Sequence, residues 1–272
     1  MISEICTCDL DGTVTVVARL DGHFEAPNWH PDGYLIINGG GRIYRLPLDN
    51  PQPELIPTGD LANLNNDHGL SPDAGTLAVS QTTGRGTSVI YLVPVTGGEP
   101  KRVTPLAPSW WHGWSPDGAT LAYVGARNDG PVLLYTCALD GSGERLLTPD
   151  FDHVDGPDYT PDGNWIWFNG ERDGAVDLWR IHPDGTGLEK MTTGPSVDWF
   201  PHPSPDGDWV VWLAYPAGTQ GHPANLNVTL NLMPAAGGQG RVLVPLLGGQ
   251  GTINVPSWAP DSRRFAFVRF EP

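Results

Sequence analysis

Trp110-Trp111-His112-Gly113-Trp114-Ser115-Pro116-Asp117-Gly118 is the stretch on which the fold turns, because its second half recurs five more times. The recurrences are His30-Pro31-Asp32-Gly33, Ser71-Pro72-Asp73-Ala74, Thr160-Pro161-Asp162-Gly163, Ser204-Pro205-Asp206-Gly207 and Ala259-Pro260-Asp261-Ser262. Successive prolines lie 41, 44, 45, 44 and 55 residues apart. A repeat of about 40–45 residues made of short strands has the spacing of a β-propeller blade. The expectation is an all-β, six-bladed propeller of four-stranded antiparallel blades, one domain over residues 1–272.

One repeat sets the strand plan. An aromatic segment before Pro116 is strand A. Pro-Asp-Gly then turns the chain: proline presets φ, aspartate caps, and glycine takes the left-handed position. Thr120 to Val124 reads as strand B, Val132 to Leu139 as strand C, and Glu144 to Leu147 as strand D. The run Ile5 to Gly12 resembles Leu134 to Gly141, so the chain is expected to begin at a strand C, with Thr13 to Leu20 as strand D. It ends after a strand B, Arg264 to Arg269. The last blade is therefore closed by N-terminal strands C and D and C-terminal strands A and B, which removes free sheet edges. Strand-A starts and B-to-C loops share one rim, the top. The long B-to-C loop of blade five, Tyr215 to Asn227, accounts for the 55-residue spacing and is a place for a lid or binding element.

With this period, the 35 glycines and 28 prolines read as turn residues rather than as disorder. A net charge of −16 argues against nucleic acid and against anionic membrane surfaces. Three cysteines make no disulfide framework, and Cys6 and Cys8, two apart in a strand, are poorly placed to bridge each other. Met1 to Leu10 shows neither a basic start nor an apolar run, so a cytoplasmic monomer is expected, periplasmic if a leader has been removed. No phosphate loop, nucleotide fingerprint or nucleophile motif is present, so no nucleotide cofactor is expected.

The Pro-Asp-Gly repeat followed by a Leu-Ala-Tyr-like strand resembles the TolB-like, WD-like propeller family over essentially the whole chain. Asn65-Asn66-Asp67-His68-Gly69, Trp111-His112-Gly113-Trp114 and Asp198-Trp199-Phe200-Pro201-His202-Pro203 resemble a subgroup of small stand-alone TolB-like propellers. The resemblance implies a rim that binds a protein partner. TolB's extra N-terminal domain has no counterpart in this chain, so its role in the Tol system is not carried over.

The six repeats agree at the bottom turn and disagree at the start of strand A. Six residues before each proline stand Glu25, Asn66, Trp110, Asp155, Trp199 and Asn254, with Asp67 and Trp111 one place closer and Asn65 and Asp198 one further, and all are expected to ring the channel mouth. Glu25, Asn66, Asp155 and Asn254 converging on one axis have the chemistry of a hard-cation site, with Ca²⁺ first and Zn²⁺ or Mn²⁺ as alternatives if His68, His112 and His153 or His202 join. The set is similar to that of paraoxonase- and gluconolactonase-type propellers. The same residues also suit turn caps and the wall of a water-filled channel. His68 and His112 are acid–base candidates because imidazole titrates near neutral pH, with Asp198 as an orienting partner. Trp110, Trp111, Trp199, His202, Tyr215 and His222 are expected at the rim as a binding surface for a saccharide. His30 and His182, at bottom turns, read as structural, and Trp29, Trp114 and Trp258 as core.

The functional expectation is a metal-assisted hydrolase or lyase acting on a small saccharide, lactone or ester at the top of the channel. The alternatives are a non-catalytic scaffold for a protein or peptide, and a saccharide-binding module without chemistry.

Overall fold

The computed structural model describes residues 1–84 and 86–271. Five blades are four-stranded antiparallel sheets laid down in chain order. Their innermost strands are Phe24–His30, Leu64–Leu70, Ser109–Trp114, His153–Tyr159 and Val197–Pro203. Blade six joins the two ends of the chain. Ile2–Asp9 pairs with Val14–Asp21 on one side and with Arg264–Glu271 on the other. Its strand A is reduced to one bridge, between Trp258 and Phe265. The two-plus-two closure is thus observed, with a weaker inner strand than the other blades have. Arg19 and Arg269 both reach the buried Glu4 carboxylate across this seam. Among the described residues there is no helix long and apolar enough to cross a membrane.

Why the bottom turns repeat is visible in their hydrogen bonds. Ser115 Oγ donates to Asp117 Oδ1 at 2.6 Å, and that oxygen also accepts the Ala119 amide at 3.0 Å. Gly118 sits at φ +69°, a conformation that costs a β-carbon residue more than glycine. The same serine or threonine to aspartate bond recurs at Asp73, Asp162 and Asp206. His30 stacks on Tyr34 at 4.1 Å and His182 on Trp165 at 3.8 Å, so both are packed into turns as expected.

Aliphatic and aromatic residues of strands A, B and C fill the spaces between blades, as in the cluster of Tyr123, Leu134, Val154 and Phe168. The cysteines lie here too. Burial pushes the Cys6 and Cys8 thiols up to about 12 and Cys137 up to about 11, so all three stay protonated near neutral pH.

Inner strands come in two patterns. In blades one, four and five the residue before a proline takes a left-handed φ of 56–58°, at Ala26, Gly156 and Phe200. The resulting bulge brings the residue after the proline (Asn28, Asp158 and His202) against neighbouring blades. Blades two and three instead carry histidine followed by glycine, His68-Gly69 and His112-Gly113. The glycine at 69 is a packing requirement. A β-carbon there would lie 2.0 Å from the Trp111 ring of the next blade.

Candidate functional site

A cavity of about 320 Å³ opens at the top of the channel. Asn65, Asn66 and Asp67 line it from blade two, Trp110 and His112 from blade three, and His153 and Asp155 from blade four. The 216–225 loop contributes His222, and the segment closing blade six contributes Gln250 and Asn254. Val124 and Val132 complete one apolar side.

Asp155 is the hub. Its Oδ1 lies 2.8 Å from His112 Nε2 and accepts the Gly156 amide at 2.9 Å, while Oδ2 lies 3.5 Å from His222 Nε2. Burial alone would raise this carboxyl, but the charges of His112, His222 and His153 and the His112 hydrogen bond hold it well below the usual carboxylate range. On His112 burial disfavours the charge; the Asp155 carboxylate and its hydrogen bond outweigh that, with Asp67 adding, so the imidazole is raised above its ordinary value. His112 Nδ1 is buried and has no hydrogen-bond partner. Asp67, 7% exposed, behaves oppositely to Asp155: burial pushes it up to about 7, with Asp155 and Glu25 reinforcing and His112 opposing. The cavity therefore holds a carboxylic acid that titrates near neutrality beside a carboxylate–imidazolium pair. That is the equipment of general acid–base chemistry.

The remaining expected residues occupy other places. His68 is fully buried one level lower, its Nδ1 2.7 Å from Asn28 Oδ1. Burial drives its pKa down to about 3, so it stays neutral and cannot exchange protons near neutral pH. His202 is also below the cavity, held between Asp158 Oδ2 at 3.0 Å and the Ile253 carbonyl at 2.8 Å. Asp198 faces Thr192, Trp212 and Ser196, away from both His68 and His112. Trp111 is 1% exposed and stands against Gly69, so it offers no free ring face. Trp199 is buried with His222 packed at 4.4 Å, and Tyr215 uses its hydroxyl on the Pro223 carbonyl at 3.1 Å. Trp110 and His222 do line the cavity.

Each of the four expected cation ligands is engaged with a neighbour. Asn66 Nδ2 donates to Glu25 Oε2 at 3.2 Å, and the same oxygen pairs with His23 at 3.1 Å. Asn254 Oδ1 accepts the Gly251 amide at 2.7 Å, and both Asp155 oxygens have partners. With Glu25 Oε2, Asn254 Oδ1 and both Asp155 oxygens engaged internally, the set does not fit a hard cation. Among the described residues no group of three or more His, Cys, Asp or Glu side chains is arranged to hold a metal ion.

Asn65, Asp67 and His153 line the cavity as the sequence places them, though Asp67 carries an acid–base role the sequence did not assign it. Gln250 had no signal in the sequence, being embedded in a glycine-rich turn, Gly248-Gly249-Gln250-Gly251.

No protein-family model matches the chain. An uncharacterized protein of Agrobacterium fabrum is 48% identical over 251 residues, covering 92% of this chain and 85% of the relative. A solved structure of a TolB-type protein from Agrobacterium tumefaciens is 45% identical, with a TM-score of 0.96 over 100% of this chain and 99% of that one. TolB from Acinetobacter baumannii, at 17% identity and a TM-score of 0.65 over 92% of this chain and 64% of that one, shares the fold. At greater distance, an oligogalacturonate lyase solved with manganese and a calcium-binding regucalcin from A. tumefaciens have TM-scores of 0.57 at 16% and 18% identity. They likewise show the fold alone.

Proposed function

The chain belongs to the family of TolB-like six-bladed β-propellers, and from its upper cavity we propose an acid–base hydrolase or lyase acting on a small polyhydroxylated molecule. A propeller hosts enzymes and scaffolds alike, so the reading rests on the site and not on the fold. The observation that carries it is the buried contrast between Asp67, titrating at about 7, and the His112–Asp155 pair beside it. Proton donors and acceptors are most useful when their pKa lies near the working pH. Asp67 in its ionised form takes a proton from water or from a substrate carbon. Asp67 in its protonated form returns that proton to the departing oxygen, so the two proton movements balance, while His112, held charged by Asp155, supplies positive charge beside them.

The substrate class follows from the walls. Asn65, Asn66, Asn254 and Gln250 present amides that both donate and accept, while Trp110, Val124 and Val132 present apolar surface. Hydroxyl edges around a carbon-hydrogen face suit that combination. The decisive experiment is a turnover screen of glycosides, lactones and esters with the wild type, Asp67→Asn and Asp155→Ala, with and without added Ca²⁺, Zn²⁺ or Mn²⁺. Each substitution is expected to cut turnover by about 10²–10⁴-fold, the usual worth of a general acid or base. Wild-type rates in both variants would sink the reading, and activity appearing only with an added ion would restore the metal-assisted alternative.

The likeness to TolB favours a second reading, a rim that binds a protein or peptide partner. In that case peptide binding survives Asp67→Asn and is lost on substitution of Trp110.

A further inference from the structure

The upper cavity is not the only space at this rim. Outside it lies an open vestibule of about 540 Å³, lined by Glu171, Trp199, Gln220, Pro223 and Ala224. His153, His222 and Gln250 line both spaces, so these three residues form the partition between them. Each volume falls within the roughly 300–1,000 Å³ that ligand pockets span. His222, in the partition, is 3.5 Å from the central carboxylate of Asp155.

We infer that the inner cavity and the outer vestibule are two subsites for one substrate of two units, a neutral disaccharide-like molecule whose linking bond lies at the His153–His222–Gln250 partition. This rests on the acid–base reading of the inner cavity and extends it to the group that departs. One unsatisfied polar atom supports the division: Trp199 Nε1, on a vestibule residue only 2% exposed, is a buried donor without a partner. In the partition the Gln250 side chain pairs with His222. Buried polar groups are rarely left unpaired, and a hydroxyl group bound in the vestibule is the kind of partner that satisfies the indole. Pro223 and Ala224 supply apolar surface for a ring, while Glu171 and Gln220 supply acceptors at its edge. The partition is also built on a held loop. Tyr215 Oη and the Gln250 amide both donate to the Pro223 carbonyl, at 3.1 and 3.4 Å, which fixes His222 beside the junction.

The test is calorimetric binding of neutral disaccharides and of the methyl glycosides of their component sugars. Three proteins are compared: the wild type, Ala224→Trp and Trp110→Ala. Ala224 is exposed on the loop, so the larger side chain fills the vestibule without entering a core. The expected result is a disaccharide bound about tenfold more tightly than either methyl glycoside, with Ala224→Trp removing that gain and leaving methyl glycoside binding unchanged. Trp110→Ala is expected to weaken both. Equal binding of one- and two-unit ligands, untouched by Ala224→Trp, would overturn the two-subsite inference and leave the inner site standing. If no saccharide of either length binds the wild type, the reading of the inner cavity falls and the inference falls with it.

Discussion

The channel contains two histidine–carboxylate pairs that look alike and do different things. Below, His202 meets Asp158 at 3.0 Å and spends its other nitrogen on the Ile253 carbonyl, so blades four, five and six are tied together. Trp258 Nε1 adds a bond to the His202 carbonyl at 2.8 Å, and Asn28 Nδ2 one to the Pro256 carbonyl at 2.8 Å. Above, His112 meets Asp155 at 2.8 Å but leaves Nδ1 without a partner, beside a cavity and a carboxylic acid that titrates near neutrality. The lower pair is enclosed and cross-linking, and the upper one faces space. What a buried imidazole does is set by what its second nitrogen meets.

The largest test of that contrast is His202→Leu, which strands the Asp158 carboxyl in the channel. Removing one partner of a buried pair typically costs about 3–5 kcal/mol, so urea unfolding should show a loss of that size. His112→Leu should cost less, because Asp155 keeps the Gly156 amide and His222. Equal losses would erase the distinction. Gly69→Ala drives a β-carbon into Trp111, with a cost of up to about 3 kcal/mol and altered near-ultraviolet dichroism. A change within measurement error there would mean that the second and third blades are less closely packed than they are here.

Asp67→Asn sharpens the comparison through pH. A carboxyl raised from 3.8 to about 7 in the folded state binds its proton more tightly there than when unfolded. Its burial is therefore cheapest in acid and becomes progressively destabilising as pH rises from about 4 to about 7. The stability of the variant relative to the wild type should therefore rise by about 2–3 kcal/mol from pH 5 to pH 8. A difference that does not vary with pH would show that Asp67 is not buried as an acid. Smallest of all, His222→Ala on its half-buried loop should move stability by no more than about 0.5 kcal/mol while altering ligand binding. A large loss of stability would make the loop part of the scaffold.

The architecture was legible because its cause is local. Ser-Pro-Asp-Gly closes its own hydrogen bonds within six residues, as Ser115, Asp117 and Ala119 do, so each copy announces a turn without reference to the rest of the chain. The candidate site was legible only in part. Six places before each proline is a real position, and Asn66, Trp110, Asp155 and Asn254 reach the cavity from it, while Glu25 and Trp199 do not line it. Whether neighbouring positions also face in depends on the bulges at Ala26, Gly156 and Phe200, where one inserted residue changes which side chain points to the axis. His68 and His112 are aligned in sequence, yet His68 meets an asparagine from blade one and His112 an aspartate from blade four.

The sequence by itself determined the repeat, the number of blades and the way the two ends share the sixth, since turn chemistry and strand alternation act over a few residues. Only the tertiary structure decided the pKa of Asp67, the neutrality of His68, the pairing of Glu25 with Asn66, and the entry of Gln250 into the site. Those properties arise from burial and from charges contributed by different blades, and neither quantity is a property of a residue or of its neighbours in the chain.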